Sequence, residues 1–277
     1  MVSVAREDSE TREKLQSNFV STEWAGRAGA GRAGAGRAGA ERHGDVPSLL
    51  FYEAVNLRRD VRGQFSGAPI PSEVLVRMLG AAHAAPSVGL SQPWDFVLIG
   101  DPDVRRAFYH HVQQERQMFA DTLEGAQADR FAQIKIDGIL ESTLSVVVTY
   151  DPARGAPHVL GRHAIADAGL YSVCLAIENL WLAATAEGMG VGWVSFYREQ
   201  YLSELIGLPE TVRPVAWLCV GPITHLEPVP DLERHGWRAR LPLTAVLHLD
   251  TWGNSAATFL APGSDRGGLL RPQVDAQ

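Results

Sequence analysis

Downstream of Pro71, apolar side chains recur at the spacing of one helical face: Val74, Leu75, Met78, Leu79 and Ala82. Pro71-Ser72-Glu73 opens this run and Pro86 follows it, so the pattern predicts an amphipathic helix with defined ends. Residues 48–55 place Ser48 before a run of helix formers and predict an earlier helix. Four short runs, at 94–99, 145–150, 191–196 and 212–220, are rich in β-branched and aromatic residues and predict strands. Between the first two of these, residues 102–142 read as mostly helical and amphipathic. Residues 164–187 are the longest apolar stretch and predict a helix buried on nearly every side. A C-terminal segment, 237–249, carries a proline and alternating apolar positions. Helices and strands intermix without regular βαβ alternation, so the expected class is an α+β three-layer sandwich rather than a doubly wound sheet.

Residues 26–40 are three tandem copies of Gly-Arg-Ala-Gly-Ala. Glycine at that density costs too much backbone entropy for ordered structure. Residues 1–45 are therefore expected to be a disordered extension, 46–261 the folded domain, and the Gly/Pro/Asp-rich residues 262–277 a flexible tail. The formal net charge is −7, and residues 1–45 hold equal numbers of acidic and basic side chains, so the whole deficit belongs to the rest. An acidic body argues against non-specific nucleic-acid binding. The two cysteines, Cys174 and Cys219, lie in apolar runs and read as buried free thiols, which points to a reducing compartment. The N-terminus is polar and mixed in charge, and the apolar run near 170–186 is broken by Ser172, Glu178 and Asn179. The expectation is a cytoplasmic protein without a secretory signal or membrane span.

Three elements can carry chemistry. Arg58-Arg59-Asp60-Val61-Arg62 sets three guanidinium groups within five residues, able to converge on a phosphate. Alone, the run better suits a solvated patch that Asp60 neutralises. Between a helix and a strand, Ala85-Pro86-Ser87-Val88-Gly89-Leu90-Ser91-Gln92-Pro93-Trp94 is a turn dense in small and hydrogen-bonding residues. Glu187-Gly188-Met189-Gly190-Val191-Gly192-Trp193-Val194-Ser195 has alternate glycines, but they follow a helix and lead into a strand. That is the reverse of a dinucleotide fingerprint, so a helix C-cap followed by a close backbone approach accounts for them better.

Taken together and in this order, these elements resemble the nitroreductase-like flavoprotein superfamily over about residues 48–253. Within it they resemble the 5,6-dimethylbenzimidazole synthase branch. The resemblance implies a three-layer α/β/α sandwich around a mainly antiparallel sheet, with FMN bound at a homodimer interface cored by the 164–187 helix. It implies that Arg58, Arg59 and Arg62 hold the flavin phosphate and ribityl chain, in one run with Asp60 and Val61 and assisted by Ser87. Arg240 matches a C-terminal phosphate-binding arginine, with Arg238 an alternative two residues away. The Gly192-Trp193 backbone would lie against the isoalloxazine edge. Asp60 and Ser195 occupy the catalytic positions. The implied reaction consumes reduced FMN with O₂ as co-substrate, yields 5,6-dimethylbenzimidazole for cobalamin, and depends on a flavin reductase for FMNH₂. Residues 102–142, with Phe108, Tyr109, Met118 and Phe119, are the candidate lid over a site that must exclude water.

Two other functions fit the same pocket: an NAD(P)H-dependent nitroreductase that retains its FMN, and a flavin-binding protein that catalyses nothing. Metal and hydrolase chemistry lack their patterns. His110 and His111 are adjacent and do not share a helix face, and neither H-E-x-x-H nor G-x-S-x-G occurs.

Overall fold

Two β-branched runs, Leu144–Tyr150 (β2) and Arg213–Pro222 (β4), form the middle of a four-stranded sheet. Trp94–Ile99 (β1) and Met189–Val194 (β3) flank them in the order β1-β2-β4-β3. Every pairing is antiparallel, with Val97 opposite Val147, Val147 opposite Trp217, and Val191 opposite Val220. The computed structural model describes residues 45–256. The expectations for a disordered extension over 1–45, Asp45 apart, and for a tail over 262–277 lie outside the described residues.

Because strand side chains alternate, each central strand feeds two cores. Val146, Val148, Ala216, Leu218 and Val220 pack on one face with Val74 and Met78 of Ser72–His83 (α2) and Ile177 and Leu180 of Ala168–Ala186 (α5). Val147, Trp217 and Cys219 pack on the other. There they meet Phe108 and Val112 of Pro102–Ala120 (α3), Phe131 of Gly125–Ala132 (α4) and Leu202 of Glu199–Ile206 (α6). The remaining helices are Asp45–Leu57 (α1) and the short Asp231–Arg234 (α7). Helices cover both faces of an antiparallel sheet, which is the expected α/β/α sandwich.

Several expectations shift. Helix α1 begins at Asp45 rather than after a Ser48 cap, since a proline is tolerated in the first turn, where its missing amide needs no partner. Region 102–142 is helical only to Ala132. Beyond it the chain has no regular element, and Ile134, Ile136 and Ile139 are buried in the core on either side of an exposed Lys135. Phe108 is fully buried and stacked on Trp217 at 3.8 Å between ring centroids, so it is core rather than lid. Residues 237–249 form only a 3₁₀ turn at Leu243–Ala245 and an isolated bridge from His248. Cys219 is buried as expected, but Cys174 is exposed, because it projects from the outward side of α5. Helix α5 is long and apolar enough to cross a membrane by length and composition, yet its Val173, Ile177, Leu180 and Ala184 are buried inside the fold.

Candidate functional site

After α1 the chain straightens and runs along the edge of β3. Asp60 bridges Val191 in a parallel sense, and the Val61 amide donates to the Val191 carbonyl at 3.0 Å. The Trp181 indole N–H donates to the Arg59 carbonyl at 3.1 Å, tying the same segment to α5. The run read as a charged cluster thus lies against the edge of β3 through a single bridge, and Val61 within it is 2% exposed.

The glycines permit this approach. Gly188, at φ 71°, closes α5 in the left-handed region. A Cβ on Gly192 would stand 2.0 Å from the Val61 carbonyl oxygen, and one on Gly190 would stand 2.4 Å from Ile223. The close backbone approach expected from the motif is real, but the neighbour is the chain's own 60–62 segment. Gly192 pairs with Cys219 of β4, and the Trp193 amide donates to Asp60 Oδ1 at 2.9 Å. The Trp193 amide is therefore engaged within the protein rather than open to a flavin edge.

Asp60, Arg62 and Ser195 line one cleft of about 440 Å³, within the usual range for small-molecule sites. Its other walls include Ile134, Ile136, Trp193 and Phe196, with Lys135 and Asp231 as further charged groups. Arg62 Nη2 donates to Asp60 Oδ2 and, at 2.7 Å, to the Trp193 carbonyl. Arg62 Nη1 is buried without a hydrogen-bond partner among the described residues. The Ser195 side chain is exposed just past the end of β3.

The Asp60 carboxyl is raised above the ordinary aspartate value. Desolvation by the surrounding protein is the largest cause, opposed by Arg62, the Trp193 amide and Arg58, and reinforced by the charge of Asp231. Its side chain is nevertheless 43% exposed through the cleft mouth. Desolvation is therefore partial while the cleft is open to water, and anything filling the cleft completes it.

The arginines diverge. Arg58 lies 3.6 Å from Glu178 and 5.0 Å over the Trp181 ring, both on α5. Arg59 is turned to backbone carbonyls: Nε to Glu227 at 3.0 Å, Nη2 to Pro228 at 2.7 Å, and Nη1 to Asn56 at 2.7 Å and Arg58 at 2.8 Å. Four of its five N–H donors are engaged, so Arg59 clamps the 227–228 stretch rather than offering a free fork to phosphate. Ser87 and Arg240 do not line the cleft. Ser87 Oγ accepts the Gln92 amide at 3.0 Å in a turn seated on α5, where the Val88 amide donates to Ser172 Oγ at 3.1 Å. Arg240 is exposed.

Two charged cleft residues escaped the sequence reading. Lys135 had a signal, as the sole lysine of residues 46–261, set between two isoleucines. Asp231 had none, since its place depends on how the 225–234 stretch folds back.

Residues 55–222 match the family model described as Nitroreductase family. The chain is 38% identical over 189 residues to a 5,6-dimethylbenzimidazole synthase of Rhodospirillum rubrum, covering 68% of this chain and 89% of that protein. A protein of the same name from Rhodobacter capsulatus is 35% identical over 192 residues, covering 69% and 91%. Among solved structures, iodotyrosine deiodinase bound to FMN and 3-iodo-L-tyrosine superposes with a TM-score of 0.58 at 20% identity, over 73% of this chain and all of that one. That likeness speaks for the fold.

Proposed function

Given that the chain belongs to the nitroreductase family, we propose that it is a 5,6-dimethylbenzimidazole synthase. In this reading it is an oxygen-dependent oxidoreductase that takes reduced FMN as substrate and releases 5,6-dimethylbenzimidazole and erythrose 4-phosphate. The first product would serve as the lower ligand of cobalamin. Two relatives of that name, each matched over about nine-tenths of its length, support the assignment. The observation that carries it is the carboxylate of Asp60, held by Arg62 and the Trp193 amide at the wall of a cleft that Ser195 shares.

The residues present suit FMN. Arg62 and Lys135 set two cations at the cleft, suited to the flavin's phosphate or carbonyl oxygens. Ile134, Ile136, Trp193 and Phe196 provide apolar walls for a planar ring. When bound, reduced FMN supplies the electrons that O₂ takes up. Asp60 moves the proton at its carboxylate oxygens, Ser195 Oγ donates or relays a second hydrogen bond, and Arg62 keeps Asp60 oriented. Arg58 and Arg62 are the arginines available to the phosphate and ribityl chain.

Ser87 enters the site in this reading through a homodimer. Helix α5 exposes Tyr171 and Leu175, and the adjoining turns expose Leu90 and Leu160. Ser87 sits at the Ser172 end of α5, and Arg58 at the Glu178–Trp181 end. A two-fold pairing of α5 with its copy runs antiparallel and sets the first end beside the second. A separate flavin reductase would supply FMNH₂, and the free state of both cysteines agrees with a cytoplasmic setting.

Purified protein mixed with reduced FMN and air should form 5,6-dimethylbenzimidazole, detected by mass. Asp60→Asn and Ser195→Gly should abolish it while FMN still binds. NADPH oxidation driven by a nitroaromatic, or FMN recovered intact, would replace this reading with one of its two rivals.

A further inference from the structure

Asp60 lines two cavities. Besides the cleft, a separate cavity of about 10 Å³ is walled by Asp60, Gln64, His225, Glu227 and Asp231, together with Arg59 and apolar neighbours. The two share only Asp60 and Asp231. Asp60 and Asp231 therefore stand between the substrate cleft and the small chamber. The volume is the room one water needs, and a buried water is stable where two to four polar groups surround it.

The far wall of the chamber leads outward. Glu227 Oε1 lies 3.4 Å from His225 Nε2, and the His225 side chain is 59% exposed. Arg59 Nε holds the Glu227 carbonyl, while Gln64 accepts the Arg62 amide through Oε1 at 3.1 Å and hydrogen-bonds the Glu227 carboxylate. Both walls are thereby fastened to the segment that carries Asp60. The other charged groups facing the chamber's carboxylates are Arg234, 3.7 Å from Glu227 and 2.7 Å from Asp231, and Arg58 and Arg62 near Asp60. Thr224 Oγ1 lies 3.0 Å from His225 Nδ1.

We infer that this chamber holds one water linking Asp60 to Glu227, and that Glu227 and His225 form a proton exit from Asp60 that does not pass through the substrate cleft. The inference rests on Asp60 being the proton-transfer group of the proposed reaction. A ligand filling the cleft blocks the route from Asp60 to bulk water on that side, and the chamber leaves a second one. Asp60 gives its proton to the water, which in the same move gives one of its own to the Glu227 carboxylate. With the neutral ring carrying its own proton on Nδ1, Glu227 passes this one to His225 Nε2, and the exposed imidazolium releases one proton to solvent and regains that tautomer by exchange. One proton leaves and no electron moves; the water, Glu227 and His225 return to their starting states and Asp60 is left ionised, ready for the next proton from the cleft.

Opposing influences keep Glu227 an acceptor. Desolvation would raise its carboxyl, but its contacts with His225 and Gln64 and the charge of Arg234 hold it below the ordinary glutamate value.

The test compares wild type with Glu227→Gln, which keeps the shape and hydrogen bonds but cannot take up a proton. Product formation should fall about a hundredfold, the low end of what one positioned proton-transfer group contributes, with FMN affinity unchanged. Formate or imidazole in the buffer should restore it. Glu233→Gln, an exposed neighbour on α7, should behave as wild type. Independently of turnover, a high-resolution crystal structure of ligand-free protein should show one water bonded to both Asp60 and Glu227. An empty chamber, an unchanged rate in Glu227→Gln, or a loss that small acids and bases do not rescue overturns the relay. If the wild type itself forms no dimethylbenzimidazole, the proposed function falls and takes the relay with it. Product from wild type and an equal yield from Glu227→Gln sink the relay alone.

Discussion

The carbonyl oxygen of Val61 stands 2.0 Å from the point a Cβ on Gly192 would occupy. That contact joins the edge segment carrying Asp60 to the strand that leads to Ser195. Gly192→Ala should force the two apart, removing the Val61–Val191 hydrogen bond and the Trp193–Asp60 contact together. We expect a destabilisation of about 2–4 kcal/mol, in the range of severe core disruptions, read by urea denaturation, together with loss of product. Gly100→Ala, where a Cβ meets nothing within 4 Å, should change neither.

Arg58 and Arg59 should separate by ligand preference. If Arg59 clamps carbonyls, Arg59→Ala lowers stability by about 1–3 kcal/mol, the cost of lost charged hydrogen bonds. It should leave the preference for FMN over riboflavin intact. Arg58→Ala should reduce that preference about tenfold, since a charged hydrogen bond to phosphate is worth about 1.5–3 kcal/mol. Titration of each variant with both flavins decides, and an equal loss of preference in the two would return Arg59 to the phosphate.

The raised carboxyl of Asp60 sets the sign of a pH effect. A carboxyl whose folded value exceeds its unfolded one binds protons more readily in the native state. Its stabilising contribution is complete below the ordinary aspartate range and is lost as pH climbs through the raised value. The stability difference between wild type and Asp60→Asn should therefore move against wild type across that window and level off above it. Denaturation curves at a series of pH values measure this, and a difference that moves the other way would mean that Arg62 and the Trp193 amide outweigh desolvation.

Assembly can be probed on α5. Tyr171 is 56% exposed and Leu175 47% exposed on one apolar helix. Tyr171→Glu should convert a dimer to monomer in light scattering and lower FMN affinity, because the Ser87 turn of the second copy is removed. A dimer unmoved by this change would place the interface elsewhere.

Much of this was legible along the chain. Helical spacing at Val74, Met78 and Ala82 and β-branched runs at the two central strands marked their elements, because burial on one face imposes the period. The glycine run was legible as a cap and a close approach, since Gly188 needs a positive φ and Gly192 has no room for a side chain. The arginine run was legible only as charge. Its three guanidinium groups part company because each finds a different neighbour: Arg58, whose amide still bonds back to α1, reaches α5, Arg59 reaches the 227–228 carbonyls and Arg62 turns to Asp60.

By itself the sequence determined the element types, the α+β class and the chemistry available, because periodicity and side-chain type are local properties. Tertiary structure decided which distant residues meet. Arg59 and Glu227 are 168 positions apart, and Asp60 and Trp193 are 133 apart. No local pattern encodes such pairs. They arise because packing both faces of one sheet leaves only certain edges and carbonyls within reach, and buried polar groups must find partners there.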